Sequence, residues 1–145
     1  MNLWINDAHL YSTLCMVGLI WFVQVVHYPM MADVDQASFV NYERIHRSRT
    51  TMVVMPLMLT ELATAILLLL YSSSGNSRWL AIAGLVLVVV IWLTTFLLSV
   101  PMHERLSQGF DAEAHRRLVN TNWIRTWGWS LRGVIAILLS RSVGS

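Results

Sequence analysis

The sequence predicts an all-α fold: an integral membrane four-helix bundle built from two approximate helical-hairpin repeats, with short amphipathic connector helices. Three observations predict it. The first is composition, because 56% of the 145 residues are hydrophobic and only 12% are charged, against about 25% charged in an ordinary soluble domain. The second is a set of four apolar runs, each near the roughly 20 residues needed to cross a hydrocarbon core of about 30 Å. The third is a pair of Pro-Met junctions, Pro29-Met30 and Pro101-Met102. Each closes an apolar run, is followed by a charged connector, and leads to an Arg-Thr pair (Arg49-Thr50, Arg125-Thr126) that opens the next run.

The length suits one membrane domain, with spans predicted over about 10–28, 51–71, 79–100 and 122–140. The first run is expected to remain as a span. The residues before it carry Asp7 and no arginine, and no small-x-small cleavage site follows. Within it, Gln24, His27 and Tyr28 lie at i, i+3 and i+4 and so share one helix face. Pro29 is expected to end the helix, since proline disfavours helical geometry in the residue before it. The first connector has Asp35 placed as an N-cap and is expected to run straight into the second span. That span contains Pro56 and, near its centre, Glu61. Residues 72–77 (Ser-Ser-Ser-Gly-Asn-Ser) read as a short turn, making spans two and three antiparallel neighbours. Span three is the most lipid-like. Span four opens with Trp123, Trp127 and Trp129, suited to a headgroup-level aromatic belt.

All ten basic residues are arginine, and they are dispersed among acids. This excludes a nucleic-acid surface and points to membrane borders. Seven of them (Arg44, Arg47, Arg49, Arg105, Arg116, Arg117, Arg125) fall in or beside the connectors. By the positive-inside rule the connectors are expected in the cytoplasm of a bacterial inner membrane, with both termini outside. The single Cys15 allows no intrachain disulfide. Pro29 to Arg49 is 20 positions and Pro101 to Arg125 is 24. The difference is a little over one turn, so facing is roughly kept, and His46 pairs with Asn122 and His27 with Ser99. Hairpins related in this way are parallel repeats about an axis along the membrane normal.

Three constellations could carry chemistry. Glu43-Arg44-Ile45-His46 is a Glu-x-x-His, the i, i+3 spacing that points carboxylate and imidazole at one metal in helical bundles. The same Glu43 could instead pair with Arg47. His27, His46 and His103 come from three elements at one membrane depth, and with Glu43 they form a candidate set for copper, zinc or iron. They equally fit haem ligation, acid-base work on a membrane-soluble substrate, or hydrogen-bonded helix ends. Gln24, Asn122, Trp123 and Arg125 are expected to accompany His27 around a cofactor. Third, Glu61 and Arg132 are either an intramembrane ion pair or a catalytic pair. From Arg49, Glu61 is 12 residues in, and Arg132 is seven beyond Arg125, or about 18 and 10 Å at 1.5 Å per residue. An arginine side chain spans much of that gap.

Two motifs, Trp21-Phe22-Val23-Gln24-Val25-Val26-His27-Tyr28-Pro29 and Asn122-Trp123-Ile124-Arg125-Thr126, resemble those of uncharacterised four-span bacterial proteins similar to the anthrone-oxygenase-like membrane family. The resemblance implies oxidative chemistry on a hydrophobic molecule. The layout is also similar to the four-span protoporphyrinogen oxidase family, whose first-span histidine His27 would match; a lysine of that family's third span has no counterpart here. The expected function is therefore redox chemistry on a lipophilic small molecule at a metal or haem site near the cytoplasmic face. The expected partners are membrane lipid, that small molecule and, as a homo-oligomer, a second copy. The competing class is a non-catalytic membrane subunit or hydrophobic-ligand binder.

Overall fold

A computed structural model describes residues 3–72 and 75–143. The described chain is helical, arranged as four rods. The first comprises α1 (Leu3–Phe22), a π-helical turn (Val23–His27), α2 (Tyr28–Met30) and a 3₁₀ turn (Met31–Asp33). The second is α3 (Gln36–Tyr71). The third joins α4 (Asn76–Thr94), a second π turn (Thr95–Ser99) and α5 (Val100–Leu106), and the fourth is α6 (Ala112–Val143). The first three rods are long and apolar enough to cross a membrane. α6 is equally long but carries Arg116, Arg117, Arg125, Arg132 and Arg141.

Local chemistry explains the boundaries. Asp35 caps α3, its carboxylate accepting from the Ala37 backbone N–H at 3.1 Å. Asp111 caps α6, accepting from Glu113 and Ala114 at 2.9 and 3.0 Å. The connector and second span form one uninterrupted helix that passes through Pro56. The turn expected over 72–77 lies partly outside the described residues; Gly75 in it has φ of 104°, open to glycine for want of a Cβ.

Pro29 does not end its helix. Helical geometry continues to Met30 and then tightens to 3₁₀ as far as Asp33. The π turn before it is the reason. The Tyr28 N–H reaches back five residues to the Val23 carbonyl, which widens the backbone where a proline ring would otherwise crowd the preceding turn. The same device precedes Pro101, where the Val100 N–H bonds the Thr95 carbonyl.

The rods pack in a ring in which α1 and α4 each contact both α3 and α6. Along the bundle, polar and apolar layers alternate. Toward the start of α1 lies a buried polar layer of His9, Thr13, Glu61, Thr64 and Arg132. Below it, Met16, Ile20, Met58, Ile91 and Trp129 form an apolar layer. A second polar layer follows, of Gln24, Ser99, Asn122, Arg125 and Thr126. The connector end is closed by an apolar cluster that includes Tyr28, Met31, Phe39, Leu106 and Leu118.

Candidate functional site

The two π turns supply the walls of a polar cluster at the connector end. His27 is the last residue of the first π turn and Ser99 the last of the second. α3 brings Glu43 and His46 to the same place, one turn apart, and α5 brings His103. Ligand-type atoms of Glu43, His46 and His103 all lie within 4.8 Å of one another. Glu43 is fully buried. Its Oε1 accepts from His103 Nδ1 at 2.7 Å, while its Oε2 has no hydrogen-bond partner. Leaving a carboxylate oxygen buried and unpartnered is unfavourable, and that oxygen is open to a further donor or a cation.

His27 joins the cluster through His46. Its Nε2 lies 2.8 Å from His46 Nδ1, and the two rings stack with centroids 4.4 Å apart. Thr50 Oγ1 also lies 3.1 Å from His46 Nδ1. The hydrogen bonding described for His46 thus falls on Nδ1. A donor must stand opposite an acceptor, so His27 and His46 present unlike nitrogens to each other. On His103, Nδ1 must carry the proton it gives to Glu43, and Nε2 stands 3.1 Å from the Tyr28 hydroxyl. Tyr28 in turn faces the Arg125 guanidinium. Arg125, Tyr28, His103 and Glu43 therefore form a hydrogen-bonded chain that runs from a guanidinium to a carboxyl group.

Beneath this chain, Gln24 and Asn122 behave as a unit. Asn122 donates to Gln24 Oε1 at 2.8 Å, and Gln24 donates to the Val119 carbonyl at 3.2 Å. Arg125 Nη1 donates to Asn122 Oδ1 at 3.1 Å and to Ser99 Oγ at 3.3 Å. The structure thus brings His27, His46, His103, Glu43, Gln24, Asn122 and Arg125 to one end of the bundle. Trp123 stands apart. It is 38% exposed on the outer flank, edge-on to Trp21 with ring centroids 5.8 Å apart. His115 holds structure together, lying 2.7 Å from the Tyr28 carbonyl.

A cleft of about 260 Å³ adjoins the histidines. Tyr28, His46, His103 and Arg125 form its polar side, and Met55, Met58, Trp92 and Phe96 form much of its apolar side. Phe96 is more than half exposed, so the cleft communicates with the outer flank of the bundle.

Glu61 and Arg132 form a second cluster; Arg132 lies about two turns along α6 from Arg125, and Glu61 about four turns along α3 from His46. They are directly ion-paired, and both are buried. Arg132 also donates to the Gly84 carbonyl and, at 3.2 Å, to His9 Nε2. Because a guanidinium only donates, His9 Nε2 accepts there, and the ring proton sits on Nδ1, 2.9 Å from Thr64 Oγ1. Thr13 donates to Glu61 at 3.4 Å. Sequence reasoning did not place His9, Thr13 or Thr64 in a site. The signal was available as a stripe at helical spacing (Asn6, His9, Thr13, Met16, Ile20), every member of which is buried.

At the exposed end of α6, the N–H of Ala114 and then Arg105 hold the Asp111 carboxyl below its ordinary range. Arg117 does most to lower Glu113 in the same way.

Compared with models of protein families, with curated proteins and with solved structures, the chain matches none.

Proposed function

We propose that the chain is an inner-membrane protein holding a transition-metal ion between Glu43, His46 and His103, for redox chemistry on a lipophilic small molecule. The observation that carries this reading is the buried, unpartnered Glu43 Oε2 inside a cluster of ligand atoms within 4.8 Å of one another. Two imidazoles and one carboxylate suit iron(II), and also zinc; the redox reading selects iron. His27 supports the set from behind His46, and Tyr28 from behind His103, as outer partners of ligating histidines do. The adjoining cleft would admit the substrate from lipid. When bound, the metal would supply the electron transfer. The residues of this chain orient the ligands, exclude bulk water from Glu43 and hold the substrate beside them.

Support for a two-hairpin repeat comes from the π turns. Each is five residues long and ends two positions before its proline, and their last residues, His27 and Ser99, are the pair matched by the sequence register. The arginine distribution supports cytoplasmic connectors and outer termini, with α6 as the fourth span.

Metal analysis of protein purified in mild detergent, with a visible spectrum, tests the proposal. About one iron per chain is expected, falling at least tenfold in Glu43→Gln and in His46→Ala. A colourless protein that stays metal-free after reconstitution, unchanged by His27→Ala, would sink it. One observation favours a second reading, of a non-catalytic ligand binder. The 2.7 Å His103–Glu43 and 2.8 Å His27–His46 contacts give Glu43 Oε1 and the three imidazoles partners without a metal. A folded, metal-free protein that still binds its ligand would decide for that reading.

A further inference from the structure

We infer that the cleft beside the histidines is a receptor for an amphipathic monoanion, whose charged head pairs with Arg125 and whose apolar body lies against Met55, Met58, Trp92 and Phe96. The inference rests on reading this cleft as the substrate site and names the class of molecule it takes.

Charge is the first argument. The lining contains two arginines, Arg47 and Arg125, and no carboxylate. Arg125 is only 7% exposed. Among the described residues no carboxylate bonds it; its partners are the neutral Ser99, Asn122 and Tyr28. Its Nε–H has no hydrogen-bond partner. Glu43 is linked to it only through Tyr28 and His103. A guanidinium held in this way, with no carboxylate of its own and lining a cavity, is built for an oxyanion, because charge-assisted bonds to planar oxyanions are among the strongest it can make. The ion pair at Arg132 shows the contrast within the same helix. There a buried arginine has its own carboxylate.

Size and surface supply the rest. At about 30 Å³ per water-sized group, a volume of 260 Å³ admits on the order of nine non-hydrogen atoms. That is a short acyl chain, or the head end of a longer molecule leaving past Phe96. The anion could therefore be a free carboxylate or the headgroup region of an acidic lipid.

Octanoate is a suitable probe, with octanol as its uncharged counterpart. Brominated forms of each report through quenching of tryptophan fluorescence, since Trp92 lines the cleft. The full-length protein in dodecyl maltoside is expected to bind bromo-octanoate saturably, at least tenfold tighter than bromo-octanol. Arg125→Gln should remove that preference while leaving octanol binding within about twofold. If Arg125→Gln does not fold, Arg47→Gln, at a half-buried residue in the lining, should weaken octanoate binding severalfold, and Met55→Trp should block both probes. Competition by phosphatidylglycerol, lost in the same arginine variant, assigns the anion to lipid; its absence assigns it to a free molecule. Equal affinity for the two probes in the wild type overturns the inference, as does octanoate binding that Arg125→Gln leaves unchanged. Repeating the titration after chelation separates this from the metal reading. Octanoate binding that survives metal removal stands on Arg125 alone. Binding lost with the metal but indifferent to Arg125→Gln places the anion on the metal and refutes the arginine receptor.

Discussion

At the scale of single residues, the two buried arginines of α6 show how neighbours decide what a charge is for. Arg132 meets Glu61 directly, and its remaining donors go to the Gly84 carbonyl and His9. Removing one member of such a pair strands the other in a medium that cannot solvate it, at a cost of about 3–5 kcal/mol, whereas replacing both by apolar or neutral groups is often nearly neutral. Glu61→Gln alone should therefore lower the unfolding temperature in detergent more than Glu61→Gln combined with Arg132→Met. Additive losses in the two single variants would show that the groups act independently. The pairing was legible from helix rise alone, because both residues are ionisable outliers in apolar runs whose starting points could be counted. His9 was not legible in the same way. It precedes the apolar run expected from residue 10, and only the helix starting at Leu3 carries its stripe into the bundle.

At the scale of elements, helix ends are where sequence and structure agree best and also where they part. Asp35 was identifiable as a cap because a short acceptor before an amphipathic stretch has few other uses. Pro29 misled because proline's local preference to end a helix gave way to a π turn, which lets the rod continue and swings His27 and Tyr28 into the bundle. Tertiary packing on both sides of the proline decides between these outcomes, and no window of sequence contains it. The cap at α6 offers a test with a definite sign. The Asp111 carboxyl is held below its ordinary value by the N–H of Ala114 and by Arg105. A depressed acid stabilises the fold above its unfolded pKa, about 3.9 for aspartate, and that contribution disappears as pH falls through the lower folded value. The difference in unfolding temperature between wild type and Asp111→Ala should be constant from pH 7 to 5 and shrink below about pH 4. A difference that grows on acidification would contradict the cap.

At the scale of the whole molecule, layering explains why the chain can hold so many polar groups within a membrane-spanning bundle. Two polar layers are separated by the apolar one of Met16, Ile20, Met58, Ile91 and Trp129, so the ion pair and the histidine cluster sit in separate compartments. α6 contributes Arg125 to one and Arg132 to the other. This is why α6 is not apolar enough to register as a span by itself while the other three rods are. Arg125 and Arg132 are buried inside the bundle, and a bilayer would meet mainly Trp127, Leu131, Val134 and Leu138. If α6 crosses the membrane, both connectors lie on one side and the α3–α4 turn on the other. On the positive-inside expectation proposed above, the connectors lie in the cytoplasm. Single cysteines decide the matter, introduced at exposed Asn76 and Gln108 after Cys15→Ser removes the one native thiol. In intact cells a membrane-impermeant maleimide should label Asn76→Cys and spare Gln108→Cys until the membrane is opened. Labelling of both from outside would mean that α6 does not close the bundle across the bilayer. The reverse pattern would place the histidine cluster at the outer face.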